Sequence, residues 1–350
     1  RSVTNEILPI GLSFHTFQSV SYVVDVYREK IQPEKHLGIY STYVLFFPQM
    51  VAGPIERFST LGNELKKSVT FTVSFIKKAV PLIIIGLFYK MVIADNCGEY
   101  VNETYQNLKL QNNYNVLIAV FLFCIQIYSD FFGYSLIAQG SAQLFGIKLI
   151  DNFSFPFFST NIVDFWKKWH ISLTSWFRDY VYISLGGNRT TTFKYVLNII
   201  LIFTLSGLWH GAGFNFILWG FIHSVFYLIT VFCLSKFNLK FPLIINYLYT
   251  FILVSFIFVF FRSGELKESI QILRGILPHG NQLFKPVSWI LLMNIIFIFS
   301  LEFFVRKKFN YEGFFIENSF TKNTAILCFL LFGIVTFSGI DNLQFIYFQF

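Results

Sequence analysis

The chain has 350 residues, of which 55% are hydrophobic and 13% charged, against about 25% charged in ordinary soluble domains. One core could not hide that much apolar surface, 48 phenylalanines included, behind a charged exterior, whereas a bilayer lets the exterior itself be apolar. The net charge of +8 sits mostly between apolar runs, as the positive-inside rule distributes it, so no nucleic-acid partner is expected.

Stretches free of Asp, Glu, Lys and Arg mark the expected spans: 7–24, 36–55, 79–89, 110–129, 131–147, 195–235, 241–261, 286–301 and 323–340. A helix needs roughly 20 apolar residues to cross, so eight to ten membrane segments are expected, some short or re-entrant. No amino-terminal signal-peptide pattern is present. No internal repeat is visible, which disfavours a secondary transporter.

In chain order, the first run holds His15 and Gln18 and is followed by Asp25 and Arg28. The second contains Pro48, Gln49, Gly53 and Pro54 and ends before Arg57. Two prolines and a glycine there predict a broken or re-entrant helix, and such backbone is tolerated only where protein buries it or it lines a cavity. Gln18 and Gln49 are therefore candidate pocket residues, with Arg57 at the mouth to attract an anionic group. The run 79–89 is expected to continue to Ala94, with Lys90 snorkelling to the interface. Asp130 separates two apolar runs and is expected to need a partner, bracing a helix or lining a polar cavity. The four cysteines, Cys97, Cys124, Cys233 and Cys328, are too scattered for a disulfide framework or a metal site, and no metal is expected.

Residues 164–189 differ from their surroundings. Trp166, Trp169, Leu173, Trp176 and Tyr180 recur at spacings of three and four, with Lys167, Lys168 and Arg178 on the other side. The pattern predicts an amphipathic helix in the membrane interface, its tryptophans inward and its cations toward lipid phosphates. His170 lies in this stretch. The run 195–235 is long enough for two spans, and in its middle stands SGLWHGAG, residues 206–213. An ionisable residue at membrane depth is a functional candidate, and a neutral His210 imidazole suits a general base. Trp209 would shape its pocket, and Gly211 and Gly213 let backbone approach a ligand closely. The same histidine could instead be packed at a helix end and satisfied by a carbonyl. No zinc spacing, phosphate loop, dinucleotide fingerprint or GxSxG elbow appears.

In order, the motifs GLSFHTFQSVSYVVDVYR, FFPQMVAGPIER, YSDFFGYSLIAQGSAQLFG, DFWKKWHISLTSWFRDYVYISLGGNR, SGLWHGAGFNFILWGFIHS and FIYFQF closely resemble the membrane-bound O-acyltransferase (MBOAT) family. The likeness is to its bacterial branch of alginate and peptidoglycan O-acetylation proteins and teichoic acid D-alanyl transfer proteins. The resemblance implies an all-α polytopic protein, one membrane domain over 1–350, with broken helices and an interfacial helix around a central tunnel. It also implies further amino-terminal spans ahead of residue 1. His210 and His170 match the two family histidines along the tunnel. The implied activity is acyl transfer to a hydroxyl, with an acyl group, acetyl in the first instance, carried from a cytoplasmic thioester toward an exported or cell-wall polysaccharide. The donor would be acetyl-CoA or a carrier-protein thioester, with no permanently bound cofactor. An SGNH-type extracytoplasmic partner would complete delivery, and the location would be the bacterial cytoplasmic membrane, in contact with its lipids. Tyr347, near the carboxyl end, matches a proposed transient acyl carrier.

The chain departs from the family at Phe132, Leu136, Ser184 and Ser224, where Ser, Asp, Pro and Gly are common, and lysines at 167 and 168 replace frequent arginines. The alternatives are a lipid or protein O-acyltransferase, a transporter or channel using Asp130 and His210 as a proton relay, and a non-catalytic assembly component. If 195–235 were a plain hairpin, His210 would lie near the outer surface. The glycines are therefore expected to break the hairpin and carry His210 inward.

Overall fold

A computed structural model describes residues 12–50, 53–236, 241–278, 284–308, 310–317, 319–339 and 345. Every regular element among them is helical. Helix α1 (Leu12–Tyr27) is followed by two short helices, α2 (Leu37–Val44) and α3 (Phe47–Met50). This is the broken helix that the prolines demand. A wide π-type turn, Phe58–Gly62, leads into α4 (Asn63–Leu65). Next, α5 (Val73–Leu87), a second wide turn (Phe88–Ala94) and α6 (Asp95–Gln106) run on without interruption.

Helix α7 (Asn113–Gln143) is the central element. Its 31 residues extend for about 46 Å, longer than a hydrocarbon core of about 30 Å. The sequence predicted two segments divided at Asp130, but the helix passes through Asp130 unbroken. The reason is electrostatic. Lys90 Nζ lies 2.9 Å from Asp130 Oδ1 and 2.7 Å from Asp95 Oδ1. Lys90 is 9% exposed, so it does not snorkel to the interface as expected but turns inward to bridge two buried carboxylates. Of the two roles open to Asp130, a brace or a cavity lining, the ion pair with Lys90 is that of a brace. Glycines permit the tight fit of α5 on α7: a Cβ at Gly86 would stand 2.6 Å from the Gly133 carbonyl oxygen.

Beyond α7 come α8 (Ile162–Trp166) and α9 (Ile171–Phe177), the latter prolonged by a wide turn to Tyr182. Then follow α10 (Thr192–His210), α11 (Phe214–Lys236), α12 (Leu243–Arg262), α13 (Leu266–Gly275), α14 (Trp289–Val305), α15 (Tyr311–Glu317) and α16 (Phe320–Phe337). Five helices among the described residues are long and apolar enough to cross a membrane: Asn113–Gln143, Thr192–His210, Phe214–Cys233, Leu243–Arg262 and Trp289–Lys308. Shorter α1, α5 and α16 fill several of the other expected runs. In α7, 78% of the apolar window is buried by protein, against 22–33% in the other four, so α7 is the hub and the others turn a face to lipid.

Two further expectations are corrected. Residues 164–189 do not form one amphipathic helix: α8 ends at Trp166 and α9 starts at Ile171, with His170 between them at φ +43°. Trp166, Trp169 and Trp176 are 7%, 2% and 7% exposed and lock into the protein core, which a helix floating in the interface could not do. The cations Lys167 and Arg178 do face outward. Nor do glycines break the hairpin of α10 and α11. A Cβ at Gly207 would overlap the Phe216 carbonyl and one at Gly220 the Phe203 carbonyl, so these glycines draw the two helices together. Gly211–Gly213 merely form the turn.

Candidate active site

The turn nevertheless leaves His210 packed against protein, although it is not fully buried. Its ring lies 4.7 Å from Trp209, 5.4 Å from Trp219 and 5.0 Å from Phe261, centroid to centroid. The far end of α12 supplies Phe261, and Asn215 Nδ2 fastens that end to the start of α11 by donating to the Phe260 carbonyl at 3.2 Å. Trp209 links the two predicted histidines, since its ring is also 6.3 Å from His170. Phe14 and Phe17 of α1 back Trp209 at 6.1 and 5.3 Å.

His170 is 1% exposed and stacks edge-on to Phe131 of α7 at 4.6 Å. Both its ring nitrogens are buried without a hydrogen-bond partner among the described residues. An unsatisfied buried polar group costs about 1–3 kcal/mol, and native proteins retain few of them. Its fixed position has two causes. The left-handed backbone turns the chain sharply between α8 and α9, and on the next residue the Ile171 N–H donates to the Asn152 carbonyl at 2.8 Å.

A third histidine joins the cluster unforeseen. His223 is fully buried on α11, and its Nδ1 accepts from Trp166 Nε1 at 3.3 Å. Trp219 separates it from His210, at 4.9 Å from His223. Its position in the middle of an uncharged run, on the same hairpin as His210, was the available signal. Among the described residues no group of three His, Cys, Asp or Glu side chains is placed to hold a metal ion.

The other candidates fall elsewhere. Gln18, Gln49 and Arg57 gather around Tyr43 and Tyr180 and not around the histidines. Tyr43 OH donates to the Glu56 carbonyl at 3.0 Å, and Gln49 Nε2 to the Tyr43 carbonyl at 2.9 Å. Tyr43 OH also lies 3.4 Å from the Gln18 carbonyl. Arg57 lies 4.9 Å over the Tyr180 ring and 3.9 Å from Asp179. In this cluster Glu56 is 2% exposed and accepts from the Ile150 N–H at 2.7 Å and the Thr60 hydroxyl at 3.0 Å. Burial pushes its carboxyl above the usual carboxylate range. Asp130 is tied to Lys90, while Phe132 and Leu136, on another face of α7, line a separate cavity with Asp151 and Tyr311. Gly211 sits in the turn directly after His210, and Tyr347 lies outside the described residues.

Fold and site together define a polytopic helical membrane protein with a pair of histidines joined inside an aromatic cage. The chain belongs to the membrane-bound O-acyltransferase family, whose model matches residues 11–263. It is 34% identical over 279 residues to the probable alginate O-acetylase AlgI of Azotobacter vinelandii, covering 80% of this chain and 56% of that protein. It is 33% identical over 298 residues to the peptidoglycan O-acetyltransferase of Helicobacter pylori, covering 77% and 56%. It is 30% identical over 233 residues to the teichoic acid D-alanyltransferase of Streptococcus thermophilus, covering 62% and 55%. The chain thus spans a little over half the length of the curated relatives it matches.

Proposed function

We propose that the chain transfers an acyl group, acetyl in the first instance, from a cytoplasmic thioester to a hydroxyl of an exported or cell-wall polysaccharide. One observation carries the reading: a buried histidine with two unpartnered ring nitrogens stands one tryptophan away from a second histidine. That leaves the two ring nitrogens of His170 open to a substrate. In the proposed step the hydroxyl oxygen attacks the thioester carbonyl carbon and the C–S bond breaks. His210 takes the hydroxyl proton and passes it to the leaving thiolate, while His170 positions the reacting groups. The donor is acetyl-CoA or a carrier-protein thioester.

Charge distribution supports a cytoplasmic donor. Lys78 and Lys148 converge on Glu312 where the start of α5 meets the end of α7, and Lys66 pairs with Glu34 nearby in the chain. Arg189 and Lys194 flank the start of α10, and Arg306, Lys307 and Lys308 follow α14. The positive-inside rule assigns such an end to the cytoplasm. His210 stands at the opposite end of α10, about 27 Å along the helix from Thr192, which suits an acceptor approaching from outside. The names of the relatives support a bacterial cytoplasmic membrane and a cell-surface glycan. An SGNH-type extracytoplasmic partner would receive the acyl group, directly or through Tyr347. The pairing of Asp130 with Lys90 argues against a proton relay through Asp130.

The test is mass spectrometry of ester-linked acyl groups on surface glycans from cells carrying the intact protein or its His210→Ala variant. Loss of the esters with the variant still inserted is expected. Equal esterification would overturn the reading. A Tyr347→Phe variant that esterifies fully would remove the carrier step alone.

A further inference from the structure

On the cytoplasmic side of the two histidines, the α8–α9 segment and the α10–α11 hairpin do not close on each other. They leave a cavity of about 380 Å³, walled by Ile171, Phe177, Ile199 and Phe203 and bearing Lys167 and Arg178. The volume equals about a dozen waters at roughly 30 Å³ each, but a buried water needs two to four polar partners. The wall offers few. Two of its hydroxyls are already engaged locally, Thr174 with the Trp169 carbonyl at 3.3 Å and Ser175 with the Ser172 carbonyl at 2.9 Å. Hydrocarbon suits such a space better than water does.

The two cations are exposed. Lys167 forms no ion pair among the described residues, and Arg178 engages only its neighbour Asp179 through Nε at 2.8 Å, with 63% of its side chain exposed. An apolar slot with two available cations on its wall is complementary to an acyl chain attached to a phosphate. Leu197 and Leu201, on the same stretch of α10 as the lining residues Ile199 and Ile202, are exposed, so apolar surface continues from the slot toward the bilayer.

We propose that this cavity binds one acyl chain of an anionic phospholipid from the cytoplasmic leaflet, with Lys167 and Arg178 holding its phosphate. The site has a structural consequence. Helix α9 begins directly after His170 and α10 ends at His210, so a chain wedged between these helices fixes the spacing of the two histidines.

The test places the full chain in phosphatidylcholine nanodiscs containing phosphatidylglycerol with a photoreactive group in its acyl chain. Labelling of peptides containing Phe177 and Ile199 is expected, with displacement by unlabelled phosphatidylglycerol but not by added phosphatidylcholine. The Lys167→Gln/Arg178→Gln variant, altered only at exposed positions, should need about 30-fold more phosphatidylglycerol for the same displacement, since each cation near an anionic headgroup contributes about a factor of five. Ser206→Phe, which fills the slot, should abolish the label while elution stays monodisperse. Equal labelling by a phosphatidylcholine probe, or by the double variant, would overturn the proposal. So would displacement by acetyl-CoA in place of lipid, which would give the cavity to the thioester donor. None of these readouts depends on catalysis.

Discussion

Replacing Lys90 by Met removes one charge from the centre of the molecule and keeps most of the volume. Lys90 bridges Asp95 and Asp130 at 2.7 and 2.9 Å, and the three residues are 9%, 5% and 3% exposed. The triad carries a formal charge of −1. Removing the lysine leaves −2 with no other cation paired to it among the described residues, whereas Asp130→Asn leaves a neutral Lys90–Asp95 pair. Deleting one partner of a buried ion pair costs about 3–5 kcal/mol. Lys90→Met is therefore expected to lose that much, a factor of about 10²–10⁴ in the folding equilibrium, and Asp130→Asn only about 1–3 kcal/mol, the scale of one charged hydrogen bond. Combining Lys90→Met with Asp130→Asn and Asp95→Asn should recover most of the loss, because no uncompensated charge then remains. The assay is an unfolding titration of the full chain in mixed micelles, followed by near-UV circular dichroism and arranged as a double-mutant cycle. The reasoning fails if Lys90→Met lies within about 0.5 kcal/mol of the parent, or if the Lys90 and Asp130 changes simply add.

His210→Ala should reduce acyl transfer about 10²–10⁴-fold in membranes supplied with thioester donor, the contribution of a general base, with the unfolding midpoint nearly unchanged. His170→Asn retains a residue that tolerates left-handed backbone but removes the imidazole, so transfer should fall with stability held, as a paired measurement of rate and melting would reveal. Gly207→Ala drives a methyl into the Phe216 carbonyl and should cost about 1–3 kcal/mol in the same titration. For Glu56 the sign follows from burial: a folded-state pKa raised above the unfolded one contributes stability below the ordinary carboxylate pKa that is lost as pH rises through the raised value. Asp151, bonded to Gln139 at 2.8 Å and also raised by burial, contributes in the same direction. Stability measured upward from pH 4.5 should decline, less steeply in Glu56→Gln and least in Glu56→Gln/Asp151→Asn.

The membrane class and the α10–α11 hairpin were legible because uncharged runs report directly on burial in lipid. His210 was legible for the same reason, as an ionisable group in such a run. The inward turn of Lys90 was not legible, because periodicity shows which residues are charged but not which way a side chain turns. Its partner Asp130 is forty residues away, and only the packing of α5 on α7 through Gly86 and Gly133 reveals the pair. The stretch 164–189 misled in a related way. Its tryptophans recur at helical spacing on both sides of a break, and helical spacing cannot register the single left-handed residue, His170, that separates α8 from α9. His223 stands in the same uncharged run as His210, and charge pattern alone does not tell a histidine held by a tryptophan N–H from one open to a substrate.

That break bears on the chemistry as much as on the fold. A left-handed conformation at a non-glycine residue costs roughly 1–2 kcal/mol. Two unsatisfied ring nitrogens add a cost of similar size or more. Stability alone would favour glycine or asparagine at position 170, since glycine adopts this backbone freely and neither carries an imidazole. The surrounding contacts hold the strained residue in place: Phe131 stacks on its ring, and Trp169 beside it is buried against Phe153 at 5.1 Å and Phe258 at 5.2 Å. Strain that the neighbourhood over-determines is characteristic of ligand and reaction sites. The same turn aims an unpartnered imidazole at Trp209 and thence at His210. A buried lysine triad bracing α7 and a strained histidine packed on that helix thus play complementary parts: the first makes the central helix rigid enough for the second to be held in a conformation it would not choose by itself.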